Sequence, residues 1–152
     1  MMVDYKWTDG NNDDFRMFYQ KTEEYYSRIV GGLENRKTFV PYNASETIDR
    51  ALIAYDGRNA VACAGLKHYS EADAEIKRVW VEPEYRGQHL AQDMMKRLED
   101  KARKDGYKRL ILQTREIMTD AVALYEKMGY IRIDNYPPYD MLPGAVCYAR
   151  EL

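Results

Sequence analysis

The sequence predicts an α/β protein, with helices packed on a central sheet in the manner of an α+β sandwich. Two observations carry that expectation. Apolar periodicity alternates between helical and strand spacing in the order helix, three strands, helix, strand, helix, two strands. In addition, 152 residues that are 45% hydrophobic and 32% charged can bury a core unaided, and they lack the composition of a disordered chain. No repeat, low-complexity tract or Pro/Gly linker interrupts the pattern, so one domain over residues 1–152 is expected.

Asn12 or Asp13 can cap a first helix whose apolar face is Phe15, Phe18, Tyr19, Thr22, Tyr25, Tyr26, Ile29 and Val30, with Gly31-Gly32 as its stop. Residues 33–47 read as irregular, with Pro41 and a turn at Asn43-Ala44. Arg50 to Tyr55 and Ala60 to Tyr69 read as strands joined by the turn Asp56-Gly57-Arg58-Asn59. A third strand, Ala74 to Val81, ends before Pro83. Leu90, Met94, Leu98 and Ala102, spaced by four, mark a long helix to about Lys104 that Asp105-Gly106 terminates. Tyr107 to Thr114 is the next strand. Thr119 or Asp120 can cap a shorter helix along Ala121, Leu124, Tyr125 and Met128, which Gly129 closes. Tyr130 to Ile133 and Ala145 to Arg150 are the last strands, separated by a Pro-rich loop containing Tyr136.

Charge narrows the function classes. Lys and Arg number 23 against 25 Asp and Glu, a formal charge of -2, so a general nucleic-acid binder is not expected. A local basic site for phosphate groups stays compatible with that balance. No apolar run nears the ~20 residues that span a bilayer, and Met1 to Lys6 lack a secretory layout, so no membrane association and a cytoplasmic location are expected. Cys63, Cys147, His68 and His89 have no metal-ligand spacing, so no metal is expected.

The chemistry concentrates in Glu75 to Ala91, which reads as a strand, a short turn and the start of a long helix. Arg86, Gly87 and the first helical residues would aim backbone N–H groups and the positive end of the helix dipole at one point, forming an anion site suited to phosphate. Val81 to Gly87 and Arg86-Gly87-Gln88-His89-Leu90-Ala91 resemble the V-x-P-x-x-R-G turn and the Q/R-x-x-G-x-G/A motif of the GNAT superfamily of N-acetyltransferases. Leu124 to Tyr130 is similar to that family's L-Y-x-x-x-G-F/Y motif, in the right order and at the right separation. Two positions depart from the pattern. His89 stands at the central glycine, and Met118 stands where an Asn or Gln is frequent.

The resemblance implies a mostly antiparallel mixed sheet of six to seven strands, splayed between the family's fourth and fifth strands, with acetyl-CoA as co-substrate in the splay. Val79, Trp80 and Val81 would meet its acetyl and pantetheine groups, and Arg86, Gly87, Gln88, His89, Leu90 and Ala91 its pyrophosphate. Backbone donors aimed at the thioester oxygen would also stabilise an oxyanion. Tyr125 falls where the family's tyrosine protonates the departing thiolate, and Glu75 resembles a glutamate that serves as base in one branch. Another branch places its glutamate where this chain has Gln113, an amide that cannot act as base, and His68 is a further candidate. Tyr25, Tyr26, Arg36 and Tyr136 are candidates for the acceptor site. Aromatic walls suit a cationic amine, and Arg36 suits an acceptor carboxylate.

The expected activity is N-acetyl transfer to a small-molecule amine or amino-acid-like acceptor. The alternatives are acetylation of a protein N-terminus or lysine, and a non-catalytic acyl-CoA-binding module; homodimer formation is left open.

Overall fold

A computed structural model describes residues 2–29 and 47–152. Its strands are β1 (Val3–Thr8), β2 (Arg50–Asp56), β3 (Asn59–His68), β4 (Asp73–Val81), β5 (Arg109–Arg115), β6 (Ile131–Ile133) and β7 (Ala145–Glu151). The helices are α1 (Asp13–Ile29), α2 (Leu90–Lys104) and α3 (Thr119–Lys127), with a 3₁₀ turn at Pro83–Tyr85. The strands form one sheet in the order β1-β2-β3-β4-β5-β7-β6, antiparallel throughout except for the parallel pair β4–β5. This is the helix-flanked central sheet that the sequence predicts, with the mixed, mostly antiparallel pairing that the resemblance implies.

Each face carries its own core. On one, Leu90, Met94, Met95, Leu98 and Ala102 of α2 pack on Leu52, Ala64, Ile76, Leu110 and Leu112, with Tyr125 of α3 beside them. The four-residue spacing read in the sequence is thus the buried stripe of α2. On the other face, Phe15 and Phe18 of α1 cover Ala51, Ile53, Cys63 and Trp80. Beyond α1 on that face, Tyr139, Ala145 and Cys147 form a third cluster under the loop between β6 and β7.

Local chemistry sets most boundaries. Asn12 caps α1, its Oδ1 accepting from the N–H groups of Asp14 (2.9 Å) and Phe15 (3.1 Å). Gly65 is required in β3, because a Cβ there would lie 2.8 Å from Ile48 Cγ2. The Gly31-Gly32 stop and the turn at Asn43-Ala44 lie outside the described residues.

Two features differ from expectation. The sequence reading has no strand at Val3–Thr8, yet β1 pairs with β2 from Val3↔Asp56 to Thr8↔Ala51. It is an edge strand in which only Val3 and Tyr5 pack on the core, so its stability comes from the ladder rather than from an apolar pattern. The expected Thr119 or Asp120 cap is absent as well; Met118 is the N-cap of α3 and provides no side-chain hydrogen bond.

Candidate functional site

β4 and β5 pair only from Asp73↔Arg109 to Ile76↔Leu112, and then they separate. Arg78 lies just beyond the last pair with a left-handed backbone, φ 57°, where the β3–β4 register shifts as a bulge. The extra residue bends β4 towards β3, with Val81 opposite Ala62 and Trp80 opposite Cys63. β5 stays with β7, Gln113 opposite Cys147 and Arg115 opposite Ala145. The facing edges of the two strands therefore carry backbone polar groups that no ladder uses.

A cleft of about 540 Å³ occupies this opening and the adjoining start of α2. Val79, Trp80 and Val81 form one wall; Met118, Ala121, Leu124 and Tyr125 of the α3 segment form another; Arg86, Gly87, His89, Leu90 and Ala91 close one end. The turn before α2 is left-handed at two points, Gly87 with φ 80° and His89 with φ 65° and ψ 19°. His89 is thus held in the conformation that glycine adopts without cost, which accounts physically for a glycine at this place in the motif. No side chain caps α2, so its first N–H groups and dipole end are directed at the cleft.

Arg86 adds a cation at this end. Its Nε donates to the Val81 carbonyl (2.9 Å), and its guanidinium lies 4.9 Å from the Trp80 ring centroid and 5.7 Å from that of Tyr25. Trp80 in turn meets Tyr25 edge-on at 5.3 Å. Donors, a cation and a left-handed turn at one end of an apolar slot fit an elongated ligand with a phosphorylated head.

A smaller cavity of about 80 Å³ adjoins the cleft between the separated strands and shares Tyr26, Val79, Met118 and Tyr125 with it. Its other walls include Lys77, Arg78, Gln113, Thr114 and Arg115. Tyr125 stands where the two spaces meet and is 8% exposed. Burial, with Tyr26 nearby, pushes its phenol pKa upward, so it is a protonated donor across the neutral range.

Of the residues singled out from sequence, Val79, Trp80, Val81, Arg86, Gly87, His89, Leu90, Ala91, Tyr25, Tyr26 and Tyr125 come together around the cleft. Gln88 is not among its walls. Glu75 and Tyr136 meet each other instead, on the α1 side of β4: the Tyr136 hydroxyl donates to Glu75 Oε2 at 2.6 Å, and Lys77 Nζ lies 3.7 Å from Glu75 Oε1. Lys77 also donates to the Tyr139 hydroxyl. Glu75 is 3% exposed and is not among the described residues that line either space. His68 lies at the far end of β3, its Nδ1 2.6 Å from the Tyr107 hydroxyl. Arg36 lies outside the described residues.

The sequence reading did not single out Lys77, Arg78, Thr114 or Arg115, which line the smaller cavity from the two strands that separate.

A sequence profile of the acetyltransferase (GNAT) family matches residues 6–130. The chain is 32% identical over 104 residues to the IAA acetyltransferase of Azospirillum brasilense, 68% of each protein. It is 34% identical over 150 residues to an uncharacterized N-acetyltransferase of Schizosaccharomyces pombe, covering 92% of this chain and 88% of that protein. In fold it is similar to a GNAT family acetyltransferase from Elizabethkingia anophelis with acetyl-CoA bound. The TM-score is 0.68 at 16% identity, over 99% of this chain and 98% of that one.

Proposed function

Because the chain belongs to the acetyltransferase (GNAT) family and is an acyltransferase of that kind, we propose that it transfers the acetyl group of acetyl-CoA to the primary amine of a small, amino-acid-like acceptor, by direct attack in a ternary complex. The observation that carries this reading is Tyr125 at the junction of two spaces. One is a cleft capped by the α2 N-terminus, and the other is a smaller cavity on the acceptor side of the splay.

Acetyl-CoA supplies a thioester, an acyl group activated towards amines. The turn from Arg86 to Ala91 holds its phosphates through backbone N–H groups and the helix dipole. Val79 and Val81 offer backbone hydrogen bonds to the arm, with Trp80 and Leu124 enclosing it. The acceptor nitrogen forms a C–N bond to the acetyl carbon as the C–S bond breaks. The departing sulfur takes the Tyr125 hydroxyl proton, and the nitrogen gives up one proton to a base. Glu75 acts as that base only through a water relay, since neither of its oxygens lines the cleft. The reading places one catalytic domain in residues 1–152 and the enzyme in the cytoplasm.

The test is thiol release from acetyl-CoA with a panel of small amines, amino acids and lysine peptides. Release that depends on a small acceptor supports the reading. Release only with peptides moves the activity to proteins, and none with any acceptor removes it.

A further inference from the structure

Tyr26, Val79, Met118 and Tyr125 border both the cleft and the smaller cavity, so they frame the opening between the two. The order of parts along the cleft gives that opening a direction. A donor with its phosphates at the turn from Arg86 to Ala91 and its sulfur at the Tyr125 hydroxyl has its acyl group as the leading end. Beyond Tyr125 lies the smaller cavity. It begins where the β4–β5 ladder ends at Ile76↔Leu112, and Ile76 is part of its wall.

We infer that the smaller cavity receives the acyl group of the donor, and that Met118 sets the chain length it accepts, so that propionyl-CoA is a donor alongside acetyl-CoA. This rests on the acetyl transfer proposed above and extends it to the donor's acyl chain. The step is the same in kind. The acyl carbon forms its C–N bond as the C–S bond breaks, the sulfur takes the Tyr125 proton, and the nitrogen gives up one proton to the base. The carbonyl carbon stays at the opening, where the acceptor nitrogen reaches it.

Size and lining agree. About 80 Å³ holds two or three water-sized groups at ~30 Å³ each. The acetyl methyl takes one of these places, which leaves room for one or two more carbons. The first of them meets Val79, Met118 and the Tyr125 ring, an apolar frame. On β5 the wall turns polar, with Gln113 and Thr114, so a longer chain would strip water from those groups as well as outgrow the space. Met118 is suited to set the limit. Its backbone is held apart from its side chain, the N–H donating to the Arg115 carbonyl at 2.9 Å. The side chain is buried, takes no part in capping α3, and is an unbranched thioether that adapts to its neighbours.

Acetyl-, propionyl-, butyryl- and hexanoyl-CoA are to be compared as donors to one amine, and their affinities measured by calorimetry without acceptor. The parent protein should use propionyl-CoA within tenfold of acetyl-CoA in kcat/KM, and hexanoyl-CoA at least tenfold less well than propionyl-CoA. Met118→Phe should lower the propionyl-to-acetyl ratio at least tenfold in kcat/KM and at least threefold in affinity. Met118→Ala should raise the hexanoyl-to-acetyl ratio at least tenfold, and Met118→Phe answers if that variant does not fold. Ratios taken within one variant are insensitive to its stability, which a merely structural Met118 would alter. Propionyl-CoA more than tenfold below acetyl-CoA overturns the inference. So does hexanoyl-CoA used as well as propionyl-CoA, or a chain-length profile that Met118→Phe leaves unchanged. Failure to release thiol from every donor with every amine would instead remove the acetyl-transfer reading, while the calorimetric ratios still decide whether the cavity takes the acyl chain.

Discussion

The Tyr136 hydroxyl donates to Glu75 Oε2 at 2.6 Å, tying the loop between β6 and β7 to the one stretch of β4 that still pairs with β5. Glu75 is buried, and its other oxygen faces Lys77 at 3.7 Å. Burial, with the Glu75 charge adding to it, drives the Tyr136 pKa upward, so the phenol remains a donor. Tyr136 thereby sets the direction of Glu75, which sets that of Lys77. Tyr136→Phe leaves a buried carboxylate oxygen without this donor and should cost about 1–3 kcal/mol of unfolding free energy in urea titration.

Tyr125→Phe tests the acid. The ring still fills its buried place beside Tyr130, whose centroid is 6.0 Å away, so folding and acetyl-CoA affinity should hold. Turnover should fall by about 10²-fold or more, the range general acid catalysis commonly provides. Parallel loss of affinity and turnover would assign Tyr125 to packing.

His89 gives a conformational prediction. With φ at 65°, His89→Gly relieves a left-handed strain and should bind CoA at least as tightly as the parent in calorimetry. His89→Val places a β-branched side chain in that conformation and should lower stability by about 1–3 kcal/mol and weaken CoA binding.

The strand and helix order was legible because its signals are local: the four-residue spacing of α2, the two-residue turn at Gly57-Arg58, and Gly129 after α3. The phosphate turn was legible for the same reason, as one continuous segment from Val81 to Ala91. β1 was not, since its stability lies in pairing with Ala51 to Asp56 far along the chain. Glu75 illustrates the other limit. Its position in the strand could be read, but its hydrogen-bond partner, Tyr136, arrives from 61 residues away. The smaller cavity opens where β4 parts from β5 beside the bulge at Arg78, a tertiary feature that no local pattern announces.

Thermal unfolding with acetyl-CoA, and with CoA alongside, tests the central claim most directly. Near 100 dissociation constants the ligand should add about 2.7 kcal/mol, and so raise Tm by roughly 5–10 °C for a chain of this size. A shift of that order, saturable by both ligands, is the predicted result. No shift at millimolar acetyl-CoA would contradict the account, because the turn at Arg86 to Ala91 would then hold no phosphate and the cleft no acyl donor.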